Sequence, residues 1–205
     1  RLGTQMKSVG EVMSIAKTFE EALQKAVRMV GNNRELTDKI VETDLQTIKN
    51  ELSHPTDERL FYIVEAIRRG ISIEEINQLT GIVPLFLESI QRIVDFEKEL
   101  RQVGLTQESL KKAKLLGFSD RKIGKLFGKN EVTIRELREI FKIKPAVKQI
   151  PTAKRWSEKA NYLYCTYNSD KTDDINFNET NKSVVIGSGC YRIGSSVEFD
   201  WCCVN

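Results

Sequence analysis

Helix-start and helix-stop signals recur at short intervals from Thr18 to Phe141, and this punctuation constrains the fold more than any other feature of the chain. Thr18-x-x-Glu21 and Ser72-x-x-Glu75 have the capping-box spacing, in which a hydroxyl and a carboxylate satisfy free amides at a helix start. Further starts fall at Thr56 before Asp57 and at Pro84, whose missing N–H costs nothing in a first turn. Gly31, Gly70, Gly81, Gly104, Gly117 and Gly128 supply the stops. The pattern predicts a first helix over about 19–30, a long one from Leu85 to Val103, and short ones near 107–116, 120–127 and 131–141. In the long helix Phe86, Ile90, Ile93, Val94, Glu97 and Leu100 recur at three- and four-residue spacing and are expected to face inward, with Glu97 interrupting that face. Helices this short depend on mutual packing, so the expected fold class is mainly α, a bundle of short helices with short extended segments at both ends.

The pattern changes after Phe141. Pro145 and Pro151 block regular helix, Val147 and Ile150 suit an extended path, and Tyr162, Tyr164, Thr166 and Tyr167 form a strand-like run around Cys165. Residues 168–182 are polar with few aliphatic groups and read as a linker. Ser183-Val184-Val185-Ile186 then reads as a strand running into the glycine-rich turn Gly187-Ser188-Gly189, although Arg192 stands where a dinucleotide fingerprint wants its third glycine. Met6 to Val12 reads as a loop, with Glu11 an exposed carboxylate. A chain that starts at Arg1 and stops at Asn205 just after a strand-like pattern is expected to be a piece of something larger.

Charge and reactive residues narrow the chemistry. The 32 basic and 29 acidic side chains leave a net charge of only +3, so any polyanion-binding signal is local. No apolar run approaches a membrane span and no signal peptide opens the chain, which reads as cytoplasmic with no membrane partner. Cys165, Cys190, Cys202 and Cys203 show no C-x-x-C pair and predict neither disulfide nor metal site. The single histidine, His54, sits in a Ser-His-Pro turn as a solvated loop residue, which leaves no catalytic triad. From Lys111 to Arg155, 14 Lys or Arg face four acids, and Ser119-Asp120-x-x-Ile123-Gly124 followed by Val132-Thr133-Ile134-Arg135 is similar to a helix-turn-helix with a basic second helix. A nucleic-acid-binding protein is therefore the alternative reading. Without an aromatic or Asn/Gln cluster for base readout, a solvated basic face is the plainer one, and no nucleic-acid partner is expected.

Three separated stretches together resemble the large subunit of carbamoyl phosphate synthetase. Gln5-Met6-Lys7-Ser8-Val9-Gly10-Glu11-Val12-Met13, followed by Thr18-Phe19-Glu20-Glu21-Ala22-Leu23, resembles the end of the first, carboxyphosphate-forming ATP-grasp half. Thr80-x-Ile82, Phe86-Leu87, Ile90, Ile93-Val94 and Glu97, then Gly117-Phe118-Ser119-Asp120-x-x-Ile123, resemble the helical oligomerisation domain that joins the halves. Tyr162-x-Tyr164-x-Thr166-Tyr167 and Gly187-Ser188-Gly189-x-x-Arg192-Ile193-Gly194, with Glu198-Phe199-Asp200-x-Cys202-Cys203, resemble the start of the second, carbamoyl-phosphate-forming half.

The resemblance implies a division at 1–30, 31–167, 168–182 and 183–205: grasp tail, helical oligomerisation domain, linker, and the first strand and glycine-rich turn of the second half. It implies a parent ligase that makes carbamoyl phosphate from bicarbonate, glutamine-derived ammonia and two ATP for arginine or pyrimidine synthesis. ATP, magnesium and potassium are expected for the parent, and no cofactor, metal or catalytic residue for this piece, which is expected to be inactive alone. The implied partners are a glutaminase small subunit or fused glutaminase domain, and further copies through the helical domain. Glu11, Arg192 and Glu198 match positions along the family's carbamate tunnel. Serine at position 196, where many members have glycine, bears on the local tunnel width, and 151–160 departs from the family's usual acidic, alanine-rich run.

Overall fold

A computed structural model describes residues 10–30, 33–40, 43–150, 163–170, 172–174, 181, 183–187 and 197–205, with backbone alone for 197–200. Among them are nine helices and one two-stranded sheet. The helices are α1 (Phe19–Met29), α2 (Leu45–Ser53), α3 (Arg59–Arg68), α4 (Ile73–Thr80), α5 (Pro84–Val103), α6 (Gln107–Leu115), α7 (Asp120–Phe127), α8 (Glu131–Ile140) and α9 (Val197–Val204); the strands are β1 (Ala146–Gln149) and β2 (Leu163–Thr166). The mainly helical bundle expected from the sequence is the fold observed. No helix among the described residues is long and apolar enough to cross a membrane.

Local chemistry accounts for most boundaries. Thr18, Ser72, Ser119 and Asn130 each accept a backbone N–H three residues on with their side chains, and Pro84 opens α5. Neither glutamate of the two capping-box sequences turns back to its cap: Glu75 pairs with Lys49 at 2.6 Å and Glu21 turns inward. Thr106 and Ser109 form the complete reciprocal box instead. The start expected at Thr56 falls at Arg59, because Asp57 and Glu58 form a turn first. Helix α2, capped by Asp44 on Thr47, has no counterpart among the sequence expectations. Gly31, the expected stop of α1, lies outside the described residues, and Val30 is the right-handed cap residue.

One core unites these elements. Val27 of α1, Ile48 and Leu52 of α2, Ile63 of α3 and Ile76 of α4 meet Leu87, Ile93 and Leu100 of α5, and the core continues through Leu110, Ile123 and Ile134 of α6 to α8. Each such aliphatic side chain contributes about 1.5–3 kcal/mol by leaving water. The inward face of α5 is as expected from Ile90 to Leu100, with one correction. Leu87 is fully buried, whereas Phe86 is 41% exposed, because adjacent residues sit about 100° apart on a helix and 87, not 86, continues the stripe.

β1 and β2 pair antiparallel, with Ala146 opposite Thr166 and Gln149 opposite Leu163. The run read as a linker begins bonded to this sheet. Lys148 pairs with Asp170 and Asp174 at 2.8 and 2.9 Å, and the Val147 and Gln149 amides donate to Asp173 and Asp174. The strand expected over 183–186 is not formed. Ser183 to Gly187 has no regular structure, and Val184 and Ile186 are 87% and 89% exposed, so this segment adds no strand to the β1–β2 pair. Residues 197–204 form a helix despite their β-branched and aromatic content.

Candidate functional site: a helical connector and its contact surfaces

Glu21 is where the start of the described chain joins its later strand. Its carboxylate is buried; Oε2 accepts from Thr166 Oγ1 at 2.7 Å and Asn168 Nδ2 at 2.9 Å, while Oε1 pairs with Lys25 at 2.9 Å. Lys25 Nζ also donates to the carbonyls of Ile15 and Cys165. Further along α1, Gln24 and Arg28 donate to Leu116 O and Gly117 O, carbonyls just past the end of α6 that have no partner within the helix. That approach requires glycine at 117: its φ is +92°, and a Cβ there would sit 2.8 Å from the Glu21 Cα. Lost partners around a buried carboxylate cost about 3–5 kcal/mol, so α1 and β2 are held to the helical body by more than apolar contact.

Part of the basic run is drawn into the interior, where Lys114 and Lys122 are buried. Lys114 pairs with Asp120 at 2.9 Å, donates to Phe118 O and lies 5.0 Å from the Tyr167 ring centre. Arg138 reaches the same carboxylate at 2.6 Å. Burial lowers the Lys114 ammonium to about 8 against the opposing pull of Asp120, and pushes the Tyr167 phenol up to about 12. Burial alone would raise the Asp120 carboxyl, but hydrogen bonds from Arg138 and the Lys114 charge outweigh it and hold it below the ordinary range. Arg121 pairs with buried Glu35 at 3.0 Å, and Lys122 with Glu97 at 3.4 Å and Asp38 at 3.2 Å. Glu97, the charge that interrupts the α5 stripe, is thus a buried anchor also met by Arg68 and Arg101. These pairs tie α7 and α8 to the rest of the bundle. The second helix of the helix-turn-helix reading, α8, carries Glu131, Glu136 and Glu139 against Arg135 and Arg138, and Arg138 is turned onto Asp120, so it does not present the basic face that reading requires.

Apolar surface remains outward at the start of α5. Val83, Leu85 and Phe86 are exposed there, and the Phe86 ring packs at a 45° tilt against exposed Phe19 of α1 with ring centres 5.0 Å apart. The α5 part of this ridge lies on the helices between Thr56 and Val103, where a self-association surface is expected; apolar spacing alone places Phe86 inward and so conceals it.

The three positions that the resemblance matches to a tunnel, Glu11, Arg192 and Glu198, are not brought together by any described contact. Glu11 is exposed in the irregular segment before α1, Glu198 lies in α9 with only its backbone described, and Arg192 is outside the described residues, as are Ser188 and Gly189 of the glycine-rich turn. His54 is exposed at the end of α2, its Nδ1 2.8 Å from Asn50 O. The Glu21–Asn168 junction and the outward ridge have no local signal in the sequence.

These contacts define a helical connector, a body of short helices into which an early segment and a later strand are both bonded, with an apolar ridge left outward. The chain belongs to the carbamoyl-phosphate synthetase large-chain oligomerisation-domain family, whose model matches residues 11–142, while the carbamoyl phosphate synthase preATP-grasp domain matches 179–205. All of the chain aligns with each of three relatives. It is 45% identical to the mitochondrial carbamoyl-phosphate synthase [ammonia] of Aquarana catesbeiana, covering 14% of that protein. It is 47% identical to the multifunctional protein pyrABCN of Emericella nidulans, covering 9%, and 45% identical to the carbamoyl phosphate synthase large chain of Sulfurisphaera tokodaii, covering 20%. The chain therefore spans no more than about a fifth of the length of these relatives.

Proposed function

We propose that this chain is the connecting and self-association segment of a larger protein that makes carbamoyl phosphate from bicarbonate, glutamine-derived ammonia and two ATP, for arginine or pyrimidine synthesis. The observation that carries the reading is the match over 11–142 to a domain whose helices here bond both an early segment and a later strand. In this reading the preATP-grasp match over 179–205 belongs to the second, carbamoyl-phosphate-forming half, and 168–182 connects it to the helical body. ATP, magnesium and potassium belong to the grasp halves of the whole protein, and no residue of this chain is assigned to hold them. Glu11, Arg192 and Glu198 are proposed to line the path of the carbamate. A passing anion would require these carboxylates to be protonated, hydrogen-bonded or turned away, with Arg192 balancing them. The whole protein would draw ammonia from a glutaminase subunit or fused domain and work in the cytoplasm, although some relatives are named mitochondrial.

The isolated chain is expected to self-associate at micromolar concentration and to be catalytically silent. Sedimentation equilibrium and a coupled ADP assay with bicarbonate and ammonia test the two halves of the reading. A monomer at every concentration removes the self-association role. ATP turnover that survives repurification contradicts a purely connecting role.

A further inference from the structure

The basic run from Lys111 onward is not wholly consumed by ion pairs. Of its twelve Lys and Arg residues between 111 and 150, eight pair with carboxylates: Lys112, Lys114, Arg121, Lys122, Lys125, Arg135, Arg138 and Lys148. The other four are Lys111, Lys129, Lys142 and Lys144, whose side chains make no ion pair or hydrogen bond among the described residues. Three of those four line a single open cleft of about 510 Å³ with no carboxylate in its lining.

The cleft has a defined construction. Gln107 and Lys111, one helical turn apart, form a wall on α6, and Lys142 and Lys144 flank Ile143 on the turn leaving α8. Gln107 Nε2 donates to Phe141 O at 3.3 Å, joining the two sides. The turn is fixed by Ile143 N donating to Arg138 O at 2.8 Å and by Arg138 Nη1 donating to Ile143 O at 3.2 Å. Lys142 sits there at φ +55°, in the left-handed region, closing the helix as a glycine usually does. Phe141 and Tyr167 add aromatic surface, and the Tyr167 ring is held from behind by Lys114 and Arg138. The volume is that of an ordinary small-molecule site.

We propose that this cleft binds a small phosphate-bearing anion, with Lys111, Lys142 and Lys144 as the charge-bearing contacts and the Phe141 and Tyr167 rings as surface for whatever carries the phosphates. Three unpaired ammonium groups around one concavity repel each other, and a compact polyanion relieves that repulsion for all three together. The phosphate chemistry is common to a free diphosphate and a nucleoside diphosphate, and two probes separate them.

Isothermal titration calorimetry of the 205-residue chain at low salt, with pyrophosphate and with ADP, reads the site directly. One saturable event is expected, weakened about tenfold or more by the combined Lys111→Gln, Lys142→Asn and Lys144→Gln changes, with asparagine chosen at 142 because it tolerates the left-handed conformation. Lys129→Gln, outside the cleft, is expected to leave binding within about twofold. Tighter binding of ADP with shifted Phe141 and Tyr167 ring resonances identifies a nucleoside carrier; equal binding without ring shifts identifies the phosphates alone. Side-chain NMR of the unmodified chain covers the case of a poorly folded triple variant, since Lys111, Lys142 and Lys144 should shift with pyrophosphate and Lys129 should not. Absence of saturable binding below about 10 mM, or an equal loss in Lys129→Gln, overturns the proposal.

Discussion

Asn168 donates its side-chain amide to Glu21 Oε2 at 2.9 Å across 147 positions of sequence, and the same amide group reaches Leu115 O at 2.8 Å. Two segments that read as separate ends are thereby bonded to one helix end. The carboxylate gathers charge-assisted hydrogen bonds where water is excluded, so each partner depends on the others.

The two residues should therefore couple in stability. Glu21→Ala is expected to cost about 3–5 kcal/mol, because Lys25, Thr166 and Asn168 lose their acceptor together, and Asn168→Ala about 1–3 kcal/mol. The double variant should cost less than the sum by at least about 0.5 kcal/mol. Urea unfolding of all four proteins provides the comparison. Strict additivity would show that the bond does not join the segments energetically.

Gly117 offers a second check on the same junction. Its φ of +92° and the 2.8 Å approach of Glu21 Cα make Gly117→Ala both strained and clashing, whereas Gly70, at φ +80°, has nothing within 4 Å of an added Cβ. Gly70→Ala is expected to cost about 1 kcal/mol and Gly117→Ala more than about 2 kcal/mol, read as a shift of the urea midpoint. Equal costs would mean that α1 does not press on the α6–α7 turn in solution.

The helices from α4 to α8 were legible because their signals are local: a serine or threonine hydroxyl on an amide three residues away, a proline in a first turn, a glycine at positive φ. Helix α2 is not legible although Asp44 caps it, since Leu45, Ile48 and Leu52 make too short an apolar series to register. In α9, Val197, Phe199 and Trp201 carry strand propensity that helical hydrogen bonding overrides. The Glu21 carboxylate has the spacing of half a capping box, but its partners Thr166 and Asn168 lie far away in sequence. Periodicity says which side chain turns inward and not what meets it there. Glu97 interrupts an apolar face, and beyond Arg101 one turn on, its partners Lys122 and Arg68 belong to other elements that periodicity cannot assign to it.

Stability should rise with pH through the Lys114 titration. Burial lowers this ammonium from 10.5 to about 8 in the folded chain, so between those values the unfolded chain binds the extra proton and raising the pH favours the fold. Tyr167 acts only later. Its phenol is pushed from 10.0 to about 12, so its stabilisation is full below 10 and declines as pH climbs through 12. Relative to Lys114→Met, the native chain should gain stability from pH 8 to 10 in guanidinium unfolding. A flat difference across that window would place the Lys114 ammonium in contact with water.

The outward ridge is the surface to test for self-association. Leu85 is 62% exposed and Phe86 meets Phe19, so apolar side chains from two helices face solvent side by side, an arrangement that favours burial against a second copy. Leu85→Asp removes apolar surface and adds charge without touching the core, so the fold should keep its stability within about 0.5 kcal/mol. At an interface, the same aspartate would be desolvated without a partner and should raise the dissociation constant about tenfold or more. Sedimentation equilibrium on the native chain, on Leu85→Asp and on a chain ended at residue 182 separates the ridge from the exposed Val184–Ile186 segment. Loss of association in Leu85→Asp with retention in the shortened chain assigns the interface to α5. Loss only in the shortened chain would show that the late apolar segment, not the helical ridge, holds the copies together.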